Sequence, residues 1–349
     1  MTDRWQSAFA DSVVSLEELL ATFPHSPDEA AALAGVAARY PFRLTRHYFD
    51  LITVKGDPIW RQAAPDPLEL DDDQSADPLA ENSLSPVPGL IHRYPDRVVW
   101  LVNNSCAVYC RFCMRKRQVG CPAGFSGQHH ADALHYIRRT PTIRDVILSG
   151  GDPLLLDNER LEELLAGLRR IPHVDIIRIG TRLPVTFPAR IDESLCAMLR
   201  RYHPIYLNTH FNHPIELTAA SRQACAMLAD CGIQLGNQTV LLAGINDDPA
   251  VMTELCRGLL SCRVKPYYLH QMDLVQGTGH FRTPVATGLQ LMAALRGHVS
   301  GLAVPYYVID LPGGKGKVPL LPGQQILPHG ELLLENYCGE KLVYKDLPG

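Results

Sequence analysis

Cys106, Cys110 and Cys113 stand at C-x3-C-x2-C within SCAVYCRFCMRKR, so three thiols share one short stretch of chain. Thiolates are the usual ligands of iron–sulfur clusters, and three of them would hold three irons of a four-iron cluster and leave the fourth open. Structural zinc is the competing chemistry. It wants four ligands, commonly in C-x2-C pairs, and no second pair follows. The segment LSGGDPLL supplies Gly150, Gly151 and Asp152 in a turn whose glycines let backbone approach a ligand closely. Near the end, DLPGGKGKVPL places Lys315 and Lys317 in a glycine-rich turn. Phosphate-binding G-x4-GK-[ST] spacing is absent there. A lysine in such a turn suits a Schiff base with an aldehyde cofactor, and a solvated loop is the alternative.

These residues need elements to position them. From Arg97 onward, six apolar, β-rich runs recur at roughly 30-residue steps: RVVWLVN, RDVILSGGD, VDIIRIGTR, PIYLNTHF, IQLGNQTVLL and KPYYLHQMD. Helical patterns such as NERLEELLAGLRR separate them, which implies βαβ units and a parallel sheet. Polar residues gather at the C-terminal ends of these runs, including Thr181–Arg182, Asn208–His213 and Asn237–Gln238. Active sites of β/α barrels collect at that edge. The first 60 residues or so read as helices, and acidic DDDQSADPLAEN with SPVPG reads as an irregular, largely exposed connector.

Composition is that of a globular protein, with 46% hydrophobic and 20% charged residues. A net charge of −4 advertises neither a nucleic-acid nor an anionic-membrane partner. No apolar run reaches the roughly 20 residues that span a bilayer, and the first residues lack the shape of a signal peptide, so a cytoplasmic protein is expected. The other seven cysteines are scattered (Cys121, Cys196, Cys225, Cys231, Cys256, Cys262, Cys338) and are expected to be buried small hydrophobes rather than disulfide partners.

With Phe112 just before the last cysteine and the Gly-Gly-Asp turn one strand later, the chain resembles radical S-adenosylmethionine enzymes. More closely, from about Trp5 to Tyr344 it resembles the lysine 2,3-aminomutase family, through SPVPGLIHRYPDRV, CRFCMRKR, RDVILSGGD, YLNTHFNHP, LGNQTVLLAGIND, GHFRTPV and PGGKGK. The resemblance implies an α/β fold, a partial (β/α)6 TIM-like barrel with an N-terminal helical extension. Its segments would be 1–85 (helices and connector), 86–310 (barrel) and 311–349 (lysine loop and C-terminal segment). It implies an isomerase that moves an amino group of L-lysine from C2 to C3. The cofactors would be a [4Fe–4S] cluster on Cys106, Cys110 and Cys113, S-adenosylmethionine and pyridoxal 5′-phosphate. Phe112, Gly150, Gly151, Asp152 and Gln238 would serve cofactor binding. The Schiff base falls on Lys317, and Lys315 stands where the family resembles glycine. Arg93 and Arg97 would suit the cofactor phosphate through forked bonds. Arg115 matches the arginine for the substrate carboxylate, and Asp273 and Asp310 match the two aspartates for its ε-ammonium. Paired carboxylates each resist ionising, and a cation between them relieves that cost.

A flavodoxin- or ferredoxin-type electron donor is implied as partner, and a homo-oligomer is left open. Longer family members carry a zinc site with C-terminal cysteines. Here Cys338 alone lies near the end, and Asp248 stands at the position that resembles the remaining zinc cysteine, so no structural zinc is expected. The alternatives are the related branch that makes the opposite β-lysine enantiomer for elongation factor P, and an aminomutase for another amino acid such as arginine.

Overall fold

A computed structural model describes residues 4–71, 73–121, 125–321, 324–326 and 332–344. The N-terminal part is helical as expected, with α1 (Arg4–Asp11), α2 (Leu16–Thr22), α3 (Pro27–Arg39), α4 (Arg46–Phe49) and α5 (Pro58–Ala63). Two short strands, β1 (Val13–Val14) and β2 (Leu44–Thr45), pair antiparallel among them. Local chemistry starts α3. Ser26 accepts from the Glu29 amide, Glu29 accepts in return from the Ser26 amide, and Pro27 occupies the first turn.

The main sheet has nine strands in sequential order. They are β3 (Leu90–Tyr94), β4 (Arg97–Asn103), β5 (Asp145–Gly150), β6 (Ile176–Gly180), β7 (Ile205–Thr209), β8 (Gln234–Leu241), β9 (Val264–Gln271), β10 (Tyr306–Asp310) and β11 (Lys317–Pro319). Every neighbouring pair from β4 to β10 is parallel. Helices α6 (Gly127–Arg139), α7 (Asn158–Arg169), α8 (Leu183–Thr186), α9 (Glu193–Arg200), α10 (Ala219–Asp230), α11 (Pro249–Ser261) and α12 (Val285–Leu295) fill the crossovers. This is the expected partial barrel, its six β/α units running from β4 to α12. One more parallel strand, β10, follows them, and an antiparallel strand guards each edge: β3 beside β4, and β11 beside β10.

The crossover helices show why the sheet curls under a cover. In α7, Leu161, Leu164, Leu165 and Leu168 form one buried stripe at helical spacing, started by the Asp157 cap on the Arg160 amide. Burying each leucine contributes about 1.5–3 kcal/mol. Gly167 lies where a Cβ would meet Leu134 of α6 at 2.9 Å, so the two helices approach closely. The strand interiors (Val146, Leu148, Ile177, Ile179, Ile205, Leu207, Leu235, Leu269) complete one continuous core. All of the described cysteines are free thiols; Cys196, Cys225, Cys231, Cys256 and Cys262 are buried as expected, whereas Cys121 and Cys338 are exposed. Asp248 caps α11 by accepting from the Ala250 and Val251 amides. A small antiparallel sheet, β12 (Gln324–Ile326), β13 (Leu332–Glu335) and β14 (Lys341–Tyr344), follows.

The connector departs from its reading. It is irregular, but Pro78, Leu79 and Glu81 are buried rather than exposed. Its acidic composition suggested solvent, which holds for Asp71 and Asp73, yet Asp77 and Glu81 pair with Arg115 and Arg117.

Candidate active site

Parallel strands place all their C-terminal ends on one edge, and that edge carries two poles. The first is the cysteine loop, which leaves β4 at Asn103. Arg111 donates both arms to buried Glu69 (Nε–Oε1 2.8 Å, Nη2–Oε2 2.5 Å), and Lys116 reaches the same carboxylate at 2.5 Å and the Gly277 carbonyl at 2.9 Å. Removing one partner from a buried ion set costs about 3–5 kcal/mol, so the loop is firmly moored. Gly150 and Gly151 earn their place through close packing. A Cβ on Gly150 would meet the Asn103 carbonyl oxygen at 2.1 Å, and one on Gly151 would meet that of Ser105 at 2.3 Å. Gly150 also holds φ at +122°, which glycine alone adopts readily.

Asp152 accepts from the Thr181 hydroxyl (2.7 Å), the Arg182 amide (2.7 Å) and the Leu154 amide (3.1 Å). Burial pushes its carboxyl up to about 6 despite those bonds. Its side chain braces the turn within the protein. Phe112 is buried between His210 (ring centroids 5.4 Å) and Phe281 (6.2 Å). Gln238 lies half-buried on β8, opposite Tyr268 of β9.

Burial pushes the Cys106 thiol well above its ordinary value, with Asp152 and the other two thiols adding to the effect. Cys113 is pushed up to about 11 by burial and then by Cys110. The three thiols therefore share one electrostatic space, and Cys106 and Cys113 resist becoming anions unless a cation joins them. A bound metal centre supplies that cation and deprotonates a coordinating thiol outright. Three thiols on one short loop are the donor type that an iron–sulfur cluster takes.

The second pole gathers around Asp310 at the end of β10. In the antiparallel register Asp310 faces Lys317, the first residue of β11, and the Lys317 ammonium donates to its carboxylate at 2.5 Å. Arg93 reaches the same carboxylate at 3.3 Å and His270 at 3.4 Å. Burial alone would raise the Asp310 carboxyl, but the His270 hydrogen bond and the Lys317 cation hold it well below the usual carboxylate range. Asp273 behaves oppositely: burial and the nearby Asp310 charge push it up to about 7. The pair is therefore divided, one aspartate firmly ionised and one poised at neutrality, and only Asp273 resists ionising in the way expected of both.

Lys315 is exposed, so the two lysines of the loop point to different environments. Gly313, Gly314 and Gly316 all have positive φ, which lets the loop turn tightly enough to lay Lys317 against Asp310. The Lys317 amide donates to the Tyr94 hydroxyl at 2.9 Å. Arg93 Nε is buried with no hydrogen-bond partner, so this pole keeps an unsatisfied donor that suits an anion such as a cofactor phosphate. Arg97 lies at the start of β4, bonded to Asp96 at 3.0 Å and stacked 4.7 Å from the Tyr94 ring. It joins this pole through Tyr94 rather than through Asp310.

Arg115 stands between the poles. It grips Glu81 with Nε and Nη2 (3.1 and 2.8 Å to Oε1) and reaches the Ser149 hydroxyl with Nη1 at 3.2 Å. Both Glu81 and Asp273 raise its affinity for its proton against the opposing effect of burial. Asp273 thus lies within electrostatic reach of Arg115 as well as of Asp310.

Sequence reasoning assigned no role to Glu81, His210, His270 or Arg182. His210 and Arg182 were visible as polar residues at strand ends, and His270 sits in the same run as Asp273. Arg182 donates to the Cys110 sulfur at 2.8 Å and to Glu216 at 2.8 Å. His210 is kept neutral by burial, and its Nε2 is buried without a partner.

A family model described as lysine-2,3-aminomutase matches residues 292–347. The L-lysine 2,3-aminomutase of Acetoanaerobium sticklandii is 46% identical, covering 98% of this chain and 84% of its own. That of Clostridium subterminale is also 46% identical, with 98% and 83% covered. A glutamate 2,3-aminomutase of Clostridioides difficile is 41% identical, with 99% and 82% covered. Identity of 46% over 98% of the chain shows that it belongs to the lysine 2,3-aminomutase family.

Proposed function

We infer that the chain is an isomerase that interconverts L-lysine and β-lysine. The observation that carries this is the pairing of opposite charges on one sheet edge: Arg115, with Asp273 in electrostatic reach of it and of Asp310. An α-amino acid with a long cationic side chain answers both charges. Glutamate would bring a second carboxylate to the aspartates, where a like charge is disfavoured.

Cys106, Cys110 and Cys113 would hold the [4Fe–4S] cluster, with Phe112, Gly150, Gly151, Asp152 and Gln238 lining the place for S-adenosylmethionine. Lys317 would hold pyridoxal phosphate covalently, with Arg93 and Arg97 toward its phosphate. When bound, these groups supply a hydrogen-abstracting radical and a π-system through which an amino nitrogen can migrate. The chain's own residues orient and shield. Arg115 fixes the substrate carboxylate, Asp273 and Asp310 fix its terminal ammonium, and the buried Phe112–Phe281 contact helps exclude water. His270 and Arg93 also reach the Asp310 carboxylate, so Lys317 is not its sole partner among the described residues. The free thiols suit a reducing cytoplasm with a flavodoxin- or ferredoxin-type donor. Among the described residues, no helix is long and apolar enough to cross a membrane.

The test offers reduced enzyme, with both cofactors, lysine, arginine, glutamate and ornithine separately, and resolves the β-amino products by chirality. Lysine should be the preferred substrate, and glutamate preference would refute the charge argument. Formation of the (R) product would move the chain to the elongation factor P branch. Borohydride reduction and peptide mapping should place a pyridoxyl group on Lys317; finding it on Lys315 would shift the assignment by two residues.

A further inference from the structure

We propose that Glu81 is a positioning residue for substrate recognition, setting the Arg115 guanidinium so that its remaining donors face the substrate carboxylate. The proposal rests on the reading that Arg115 binds that carboxylate.

Glu81 is 4% exposed and takes the side of the guanidinium, Nε and Nη2, in a forked pair. Ser149 takes one hydrogen of Nη1. The end of the guanidinium, which carries the other Nη1 and Nη2 hydrogens, keeps donors for a second carboxylate. A planar guanidinium has five donors in a fixed fork, so one carboxylate on its side and another on its end are compatible. Glu81 is itself held from behind: Arg117 reaches its Oε2 at 3.2 Å and Asp77 at 3.1 Å.

The backbone at Glu81 is built for this aim. Ala80 has φ +54°, a left-handed conformation that costs a non-glycine residue about 1–2 kcal/mol. That turn brings the Glu81 and Asn82 amides onto the Asp77 carboxylate, each at 3.0 Å. The same strap of chain touches the other pole. The Gly313 amide donates to the Pro78 carbonyl at 2.7 Å, and a Cβ on Gly314 would meet the Leu79 carbonyl oxygen at 2.7 Å. Glu81 thus sits on a segment that contacts both the cysteine loop and the lysine loop, well placed to fix the span between carboxylate and amine.

The measurement is equilibrium binding, read from the absorption change of enzyme-bound pyridoxal phosphate as an amine is added. L-Lysine is compared with cadaverine, which is lysine without its carboxylate. Glu81→Gln keeps the shape and removes the charge. It should weaken lysine binding about fivefold to tenfold, the scale of leaving one long side chain to be immobilised by the ligand. Cadaverine binding should not change, which also shows that the variant is folded. In turnover the loss should fall on KM more than on kcat, and Glu81→Asp should recover part of it. Unchanged or tighter lysine binding would overturn the proposal, tighter binding meaning that Glu81 competes with substrate for the guanidinium. Equal weakening of both amines would also overturn it. Arg115→Ala separates the two layers. If it removes the lysine advantage over cadaverine while Glu81→Gln does not, only the role of Glu81 fails. If it leaves that advantage intact, the reading of Arg115 fails and the proposal fails with it.

Discussion

The two poles are built by opposite strategies. Around the cysteines, the residues that would carry chemistry lie within eight positions of one another, and the structure spends buried charge and close-packed backbone on holding that one loop still. Around Asp310, side chains distant in sequence (Arg93, the run carrying His270 and Asp273, and the Asp310–Lys317 strand pair) come together, and the Asp310 and Asp273 carboxyls are shifted in opposite directions by these neighbours. A centre that must present an open coordination site gains from rigidity. A centre whose lysine would hold a cofactor, as proposed for Lys317, gains from charges that can be redistributed. Mutations at the first pole should therefore act as all-or-none losses, and mutations at the second as graded, pH-dependent ones.

The sharpest test of the rigid pole removes its ligands. The triple Ala variant of Cys106, Cys110 and Cys113 should lose the roughly four irons per chain of the reconstituted protein, together with all reductive cleavage of S-adenosylmethionine. Residual cleavage would move the cluster elsewhere. Gly151→Ala attacks the same pole without touching a ligand. Its Cβ would meet the Ser105 oxygen at 2.3 Å and nitrogen at 2.6 Å, which are backbone atoms with no rotamer to yield. Iron retention should fall and the denaturation midpoint should drop by about 1–3 kcal/mol of stability. A variant with normal iron content and midpoint would show that the loop is less firmly held than its contacts imply.

The second pole should respond by degrees. Asp273→Asn should weaken lysine turnover, and Asp273→Asn with Asp310→Asn should lower it about a hundredfold or more, since a buried ammonium without partners costs several kcal/mol. S-Adenosylmethionine binding, measured separately, should survive. If the double variant lost both functions together, the poles would not be independent.

How much of this was readable in the chain follows the same division. The cysteine spacing, the Gly-Gly-Asp turn and the alternation of strands and helices are local, so periodicity and spacing revealed them along with the barrel. The charge-sharing around Asp310 is not local. It depends on the antiparallel register of Asp310 with Lys317, and on strands that bring Arg93 and His270 to the same carboxylate. Resemblance to a family supplied Lys317, Asp273 and Asp310, but not His270, nor the unequal ionisation of the two aspartates. The seventh parallel strand, β10, lies beyond the six runs counted from the sequence. Glu81 was lost in the acidic connector because a run of acids reads as solvated until its arginine partners are seen.

Proton linkage offers a finer test. Asp273, pushed up to about 7, is neutral below that pH and anionic above it. A cationic side chain binds the anion better, so lysine affinity should rise as pH goes from 6 to 8 and then level off, and Asp273→Asn should flatten that rise. Stability carries the opposite sign. A carboxyl whose folded value lies above its unfolded one stabilises the fold at low pH, and that contribution fades as pH rises from about 4 to 7. Asp273→Asn should therefore lose little stability near pH 5 and gain relative to the parent near pH 8. A pH-independent difference between the two proteins would place the titrating group elsewhere.

The smallest expected effect lies on the strap that joins the poles. Ala80 at φ +54° stores strain that glycine would not feel. Relief of about 1–2 kcal/mol is offset by the greater freedom that glycine gives the unfolded chain, about 0.4–1 kcal/mol. Ala80→Gly should therefore stabilise the protein by about 0.5–1 kcal/mol in a denaturant titration. Lysine affinity should hold, because the forked Glu81–Arg115 pair and the two amide bonds to Asp77 fix the strap independently of the residue at the bend. A gain in stability with a loss of lysine affinity would mean that the strain itself keeps Glu81 aimed. The strap would then resemble the second pole, adjustable and poised, more than the moored loop it leans on.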